Sequence, residues 1–146
     1  MERITARRMF FGYLSGAMEV MSNRKYLNKI NVFPVQDCDT GTNLFSTMKI
    51  ILQESICNDS VKITLNSIAE SALKGARGNS GIIFAQYLYG LSMETANDVN
   101  LTLQNFVNAN QKAVEYAYNA VTQPVHGTIL TVIQKWAESL SQTQKT

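Results

Sequence analysis

Two carboxylates stand two positions apart in the turn Asp37-Cys38-Asp39, with one residue between them. They are the side chains of this sequence best suited to bind a hard cation. Carboxylate oxygens are ligands that Mg²⁺ prefers, and one or two of them commonly hold the ion together with phosphate oxygens. A segment of helical periodicity begins near Thr42, so a helix N-terminus, which can receive an anion, follows the turn directly. The pair therefore predicts a site for Mg²⁺ and nucleotide phosphate, although an Asx turn or helix cap formed by the same aspartates stays open.

Small polar residues follow the two aspartates. Thr40, Thr42 and Asn43 can supply hydroxyl, amide and N-cap groups, and Thr42 is the predicted N-cap of the next helix. A calcium-binding EF-hand loop is a poor match, because the sixth position counted from Asp37 is Thr42 rather than Gly and the twelfth is Met48 rather than Glu.

Two further loops combine glycine with polar side chains. In Gly75–Gly81, Asn79 or Ser80 can cap the following helix, whose free N–H groups would suit an anion. This loop matches neither a Walker A loop nor a dinucleotide-binding fingerprint, and an ordinary helix end plus turn remains the alternative. The loop 124–128 contains the only histidine of the chain and Thr128, a predicted N-cap.

Six segments have the periodicity of amphipathic helices, and they determine where these loops lie. The predicted helices run from Ile4 to Ser22, from near Thr42, from about Thr64 to Gly75, from near Asn79 toward Gly90, from about Thr102 to Val121, and from Thr128 onward. No alternating run is long enough for a sheet, so the predicted class is all-α. Because alternate connections of an antiparallel up-and-down bundle lie at the same end, the loops 31–43, 75–81 and 124–128 are predicted to form one composite site.

Composition limits the classes of function that remain. The 146 residues suffice for one core, and 1–146 is predicted to be a single domain. A net charge of +2 without a basic run argues against nucleic acid as a partner. No apolar stretch approaches the ~18 residues of a transmembrane segment. Cys38 and Cys57 form no metal or disulfide pattern, so the cytoplasm is the predicted location.

The three loops occur in the order known from one protein family. The segments Asn31-Val-Phe-Pro-Val-x-Asp-x-Asp-Thr-Gly-Thr-Asn, Gly-Ala-Arg-Gly-Asn-Ser-Gly and Pro-Val-x-Gly-Thr-Ile-Leu resemble the N-terminal kinase domain of bacterial fatty acid kinase A. That domain is homologous to the nucleotide-binding L subunit of dihydroxyacetone kinase. The resemblance runs from about Ile4 to about Leu140. It implies an antiparallel α-helical barrel of eight helices, about six of them present here, with ATP and paired Mg²⁺ at one end.

The resemblance also implies roles for individual residues. Asp37 and Asp39 correspond to the catalytic, Mg²⁺-binding aspartates, and Asn31 is an assisting metal residue. The residues implied to surround ATP or ADP are Thr40, Thr42, Asn43, Gly78, Asn79, Ser80 and Thr128. In the family, the kinase phosphorylates a fatty acid carried by a separate fatty-acid-binding protein, and the acyl phosphate feeds phospholipid synthesis.

Two other functions stay open beside this one. The first is a dihydroxyacetone kinase-type subunit, which transfers phosphate to a small hydroxyketone. The second is a non-catalytic helical module that binds nucleotide or a partner protein. The state of assembly, including a homodimer, is also left open.

The sequence departs from the family's pattern at two points. Cys38 replaces the usual glycine between the aspartates, and Gln36 replaces a proline. If that position requires positive φ, a cysteine costs roughly 1–2 kcal/mol there. The family domain also continues with two further helices, joined by a loop that contacts the nucleotide. The domain is therefore predicted to be truncated at its C-terminal end, as a fragment or a naturally shortened paralogue.

Overall fold

Apolar side chains recur every three or four residues along most of the chain, and in the computed structural model these segments are helices. The structure describes residues 2–97 and 99–143. Within them the elements are β1 (Arg3–Ile4), α1 (Ala6–Ser22), α2 (Arg24–Ile30), α3 (Thr40–Glu54), α4 (Val61–Gly75), α5 (Gly78–Glu94), β2 (Leu101–Thr102), α6 (Leu103–Asn119) and α7 (Ile129–Thr143). The all-α class is confirmed, with seven helices in the described residues instead of about six.

The long helices pack in the order in which they occur along the chain. α1 packs against α3, and each of α3, α4, α5 and α6 packs against the next, as the up-and-down arrangement requires. α4 contributes to the core, with Val61, Ile68 and Ala72 fully buried. α5 and α6 approach closely at Gly90, where a Cβ atom would stand 2.5 Å from the Tyr116 ring. None of the described helices is both long and apolar enough to cross a membrane.

Three elements were not predicted, the short helix α2 and the strands β1 and β2. The helix α2 buries none of its residues, and its seven residues are too few for apolar periodicity to reveal it. It is separated from α1 at Asn23, whose backbone N–H donates to the carbonyl of Val20 and whose Nδ2 donates to the carbonyl of Glu19 (2.9 Å). The pair β1–β2 is antiparallel and joins Ile4 to Leu101, but two residues a strand are too few to show alternation.

A buried asparagine connects three helices in the interior. Asn110 of α6 is fully buried, and its Oδ1 accepts hydrogen bonds from the Tyr87 hydroxyl of α5 and from Trp136 Nε1 of α7 (3.1 Å). Its Nδ2 donates to the carbonyl of Phe106 (2.8 Å). Because Asn110 and Tyr87 are buried, leaving their polar groups unpaired would destabilise the fold. The cluster therefore links α5, α6 and α7 through one asparagine.

The tyrosine in this cluster makes the stability depend on pH. Burial raises the pKa of Tyr87 well above its ordinary value, whereas the unfolded chain ionises near pH ~10. The folded state therefore resists ionisation, and its stability is complete below about pH 10 and falls as the pH rises further. We expect urea unfolding between pH 8 and 11 to show this decline, and Tyr87→Phe to make it shallower. An unchanged pH slope in the variant would contradict the assignment.

Candidate functional site

Three loops lie at one end of the bundle and line a single cavity of about 1790 Å³. The polar end of the cavity comprises the aspartate turn, the N-terminus of α5 and the loop before α7. Most of the remaining lining is apolar or aromatic and includes Tyr87, Phe106 and Trp136. Nine of the ten predicted site residues line this cavity, and they are Asn31, Asp37, Asp39, Thr40, Asn43, Gly78, Asn79, Ser80 and Thr128. The tenth, Thr42, does not line it.

Direct contacts hold the three loops together. Gly78 lies so close to Asn43 that a Cβ atom added to the glycine would stand 2.6 Å from the Asn43 amide carbon. Gly127 lies against Phe33, where an added Cβ would be 3.5 Å from the ring. The composite end predicted from alternate connections therefore exists. What its residues bind remains a prediction.

The aspartate turn leaves both of its carboxylates available. Cys38 between them has φ = 55°, and all three residues of the turn are exposed. Asp39 is the N-cap residue of α3, yet its side chain makes no capping hydrogen bond. Neither aspartate forms a salt bridge within the described residues. In the structure the Asp39 side chain therefore does not cap the helix, which was the alternative role for this residue.

Two carboxylates are fewer protein ligands than a closed metal site needs. Within residues 2–97 and 99–143 no three His, Cys, Asp or Glu side chains cluster as a metal site would require. Mg²⁺ is commonly bound by one or two carboxylates, with the remaining positions filled by water and substrate phosphates. The donor set therefore fits Mg²⁺ that arrives with a nucleotide better than a metal held by protein alone.

Asn31 holds the aspartate turn through hydrogen bonds to the backbone. Its Oδ1 accepts hydrogen bonds from the backbone N–H groups of Asp39 (3.0 Å) and Thr40 (3.1 Å), and its Nδ2 donates to the carbonyl of Val35 (3.4 Å). A carboxamide oxygen has two lone pairs, and both are used here. The predicted metal role of Asn31 remains a prediction, whereas the structure shows it bridging the turn.

Thr42 is not the predicted N-cap but the third residue of α3. Its N–H donates to Asn28 Oδ1 (3.0 Å), and its hydroxyl accepts a hydrogen bond from Asn28 Nδ2 (3.0 Å). Asn28 lies in α2, and sequence reasoning missed it. No local motif marks a hydrogen bond that joins residues 14 positions apart, so only a prediction of α2 could have revealed it.

The N-terminus of α5 lacks a side-chain cap. The helix begins at Gly78, which has φ = 66°, and its N-cap residue is Arg77, so the prediction that Asn79 or Ser80 caps it is wrong. Ser80 Oγ is instead buried without a hydrogen-bond partner among the described residues. Buried hydroxyls are nearly always paired, so an unpaired one beside free N–H groups favours a ligand at this position.

The third loop ends in a conventional cap. Thr128 Oγ1 accepts a hydrogen bond from the N–H of Leu130 (3.3 Å) and donates to the carbonyl of Val125 (2.8 Å), so the predicted N-cap is confirmed. His126 is exposed, and its Nδ1 lies 3.3 Å from the Thr131 hydroxyl. His126 does not line the cavity.

The arrangement of these loops agrees with the family that the chain matches. The profile of the DAK2 domain matches residues 34–146, a stretch that includes both aspartates and the second and third loops. The chain belongs to the DAK2 domain family. The DAK2 domain is the dihydroxyacetone kinase L-subunit-like domain, as the motif comparison predicted.

Relatives of this DAK2 domain occur in several bacteria. It is 39% identical over 132 residues to an uncharacterized protein of Mycoplasma pneumoniae, covering 82% of this chain and 23% of the relative. It is 39% identical over 129 residues to protein YloV of Bacillus subtilis, and 37% identical over 128 residues to an uncharacterized protein of Staphylococcus epidermidis. Each of these two alignments covers 86% of this chain and 23% of the relative. The DAK2 domain thus spans about a quarter of the length of these relatives.

The positive φ at Cys38 gives a stability prediction for the aspartate turn. We expect Cys38→Gly to stabilise the domain by about 0.5–1 kcal/mol, because relief of the left-handed conformation (roughly 1–2 kcal/mol) exceeds the entropic cost of glycine (roughly 0.5–1 kcal/mol). Urea denaturation of both proteins measures the difference. Cys57→Gly is the matched control, since Cys57 is also exposed but lacks positive φ. Equal destabilisation by both substitutions would contradict strain at Cys38.

Proposed function

We propose that this DAK2 domain binds ATP or ADP with Mg²⁺ at the polar end of the cavity and acts in phosphoryl transfer. The observation that carries the proposal is the pair of unengaged carboxylates facing the same cavity as an uncapped helix N-terminus. A cation ligand and an anion site so close together suit a metal–phosphate complex better than either ion alone.

The residues present fit such a complex. Asp37 and Asp39 would hold Mg²⁺, which when bound supplies charge neutralisation and bridges phosphate oxygens. The N–H groups of α5 and the unpaired Ser80 hydroxyl would donate to phosphate oxygens. Gly78 lets the backbone approach the ligand, and Asn43 and Thr128 form the adjoining walls. The domain's own contribution is therefore positioning and stabilisation of charge.

The acceptor we propose is a fatty acid carried by a partner binding protein, with an acyl phosphate as product. A carboxylate acceptor is already ionised at neutral pH, so it needs no general base. The arrangement of His126 agrees with this, because the only histidine lies outside the cavity lining. Two exposed cysteines without a disulfide suit the reducing cytoplasm, where we place the protein in this proposal.

A second candidate is transfer of phosphate to a small hydroxyketone, which the family match favours. A third is a non-catalytic nucleotide-binding module, which the strained Cys38 favours. Turnover assays separate the three: the fatty acid hypothesis requires turnover with a lipid-loaded partner, the second requires turnover with dihydroxyacetone, and the third requires binding without either.

Calorimetric titration tests the shared core of these hypotheses. We expect ADP to bind the domain in the presence of Mg²⁺ and to bind much more weakly when EDTA removes the metal. Absence of binding in both conditions, or equal binding in both, would contradict the proposed metal–nucleotide site.

A further inference from the structure

The short helix α2 contributes two asparagines that cap the N-terminus of α3. Asn28 lies in its last turn and Asn31 directly follows it as the C-cap residue. Between them, their side-chain oxygens accept the backbone N–H groups of Asp39, Thr40 and Thr42, at 3.0, 3.1 and 3.0 Å. The first N–H groups of a helix lack intrahelical partners, and these three receive theirs from a different helix.

α2 is also held closely against α3. A Cβ atom added to Gly41 would collide with the carbonyl oxygen of Arg24 and would stand 2.8 Å from Asn28 Oδ1. Asn31 Nδ2 additionally donates to the carbonyl of Val35, which precedes the aspartate turn. Asn31 therefore connects Val35 to the backbone of Asp39 and Thr40, so Asp37 lies between these attachment points and Asp39 lies at one of them.

This arrangement explains why the carboxylate of Asp39 is not engaged in capping. Aspartate at an N-cap normally accepts an N–H of the first helical turn, and a carboxylate used in this way would lose part of its capacity to bind a cation. Here the neutral amide oxygen of Asn28 accepts the N–H of Thr42, the group that an N-cap side chain would normally take, and Asp39 makes no capping bond. The Asp39 carboxylate, which lines the cavity, is therefore not used in capping.

We propose that Asn28 and Asn31 are positioning residues, which cap α3 in place of Asp39 and thereby keep Asp37 and Asp39 available to a divalent cation. The inference rests on the proposed metal–nucleotide function. It assigns to Asn31 an indirect role, because both lone pairs of its side-chain oxygen are occupied by N–H groups.

The test compares Asn28→Ala/Asn31→Ala with Asn28→Asp/Asn31→Asp. In the alanine variant the N–H of Thr42 loses its acceptor and becomes available to the Asp39 carboxylate, so we expect Mn²⁺ affinity, measured by electron paramagnetic resonance, to fall by about 10-fold or more. The aspartate variant keeps both acceptor oxygens and is expected to retain the α3 cap and measurable Mn²⁺ binding. Asn58→Ala is the matched control, since Asn58 Oδ1 accepts the N–H of Ser60 in the loop between α3 and α4.

The outcomes separate the failure of this inference from failure of the function. Equal Mn²⁺ affinity of the alanine variant and the unsubstituted domain would overturn the inference and leave the metal site intact. Absence of Mn²⁺ binding by the unsubstituted domain would overturn both. Hydrogen exchange gives a readout that does not involve metal: the amides of Asp39, Thr40 and Thr42 should be protected in the unsubstituted domain and lose protection in the alanine variant. Equally fast exchange in both proteins would show that the caps do not form.

Discussion

Asp37→Asn/Asp39→Asn is expected to weaken Mg²⁺-dependent ADP binding by about 100-fold or more, because the substitution removes the carboxylate charge on which Mg²⁺ binding depends. The fold should survive, since both side chains are exposed and neither takes part in a salt bridge or a side-chain cap within the described residues. Calorimetry with Mg²⁺ and ADP measures the affinity, and thermal unfolding checks that the variant is folded.

The matched control for this prediction is Asp59→Asn. Asp59 is likewise exposed but lies in the loop after α3, at the other end of a 15-residue helix and thus about 22 Å away. We expect this control to bind ADP like the unsubstituted domain. If the double variant retains affinity within about threefold, or if the control loses as much, the aspartate pair is not the metal site.

Gly78→Ala has the second large expected effect, because it disturbs the fold and the site together. Alanine at φ = 66° costs roughly 1–2 kcal/mol, and its Cβ would collide with the buried Asn43 amide. Overpacking of this kind costs about 1–3 kcal/mol, so we expect a total loss of about 2–5 kcal/mol in urea denaturation. Nucleotide affinity should fall as well, because Gly78 and Asn43 both line the cavity.

Two comparisons show whether the collision is the cause. Gly12→Ala is the matched control, since no atom lies within 4 Å of an added Cβ at Gly12 and alanine favours the interior of α1 by roughly 0.5–1 kcal/mol. In Gly78→Ala/Asn43→Ala the collision partner is removed. The double variant should therefore lose less stability than the sum of the losses in the two single variants. Strict additivity, or an equal loss in Gly12→Ala, would contradict the steric account.

The location of the site was predictable because it depends on patterns that a sequence expresses directly. Helical periodicity reveals α3, α5 and α7, and their order is enough to bring Asp39, Ser80 and Thr128 to one end of an up-and-down bundle. The resemblance also raised positive φ at Cys38 as a condition, since the family usually has glycine at that position, and the structure has φ = 55° there.

The hydrogen bonds within the site could not be predicted in the same way. Asn28 and Thr42 are 14 residues apart, and α2 has only seven residues, so neither periodicity nor a local motif relates them. The starts of α3 and α5 were misplaced by two residues and one residue for a related reason. Thr42 and Asn79 are good capping residues by type, whereas the cap of α3 is supplied by α2 and α5 has no side-chain cap.

Backbone-amide NMR of the ¹⁵N-labelled domain, titrated with ADP and Mg²⁺, tests the central claim most directly. If the three loops form one metal–nucleotide site, the amide signals of residues 39–43, 78–81 and 127–130 shift together and saturate at a common concentration, whereas those of 55–60, at the opposite end, stay in place. Mn²⁺ in place of Mg²⁺ should broaden the signals nearest Asp37 and Asp39. No shift at millimolar ADP, or shifts confined to the opposite end, would contradict the account.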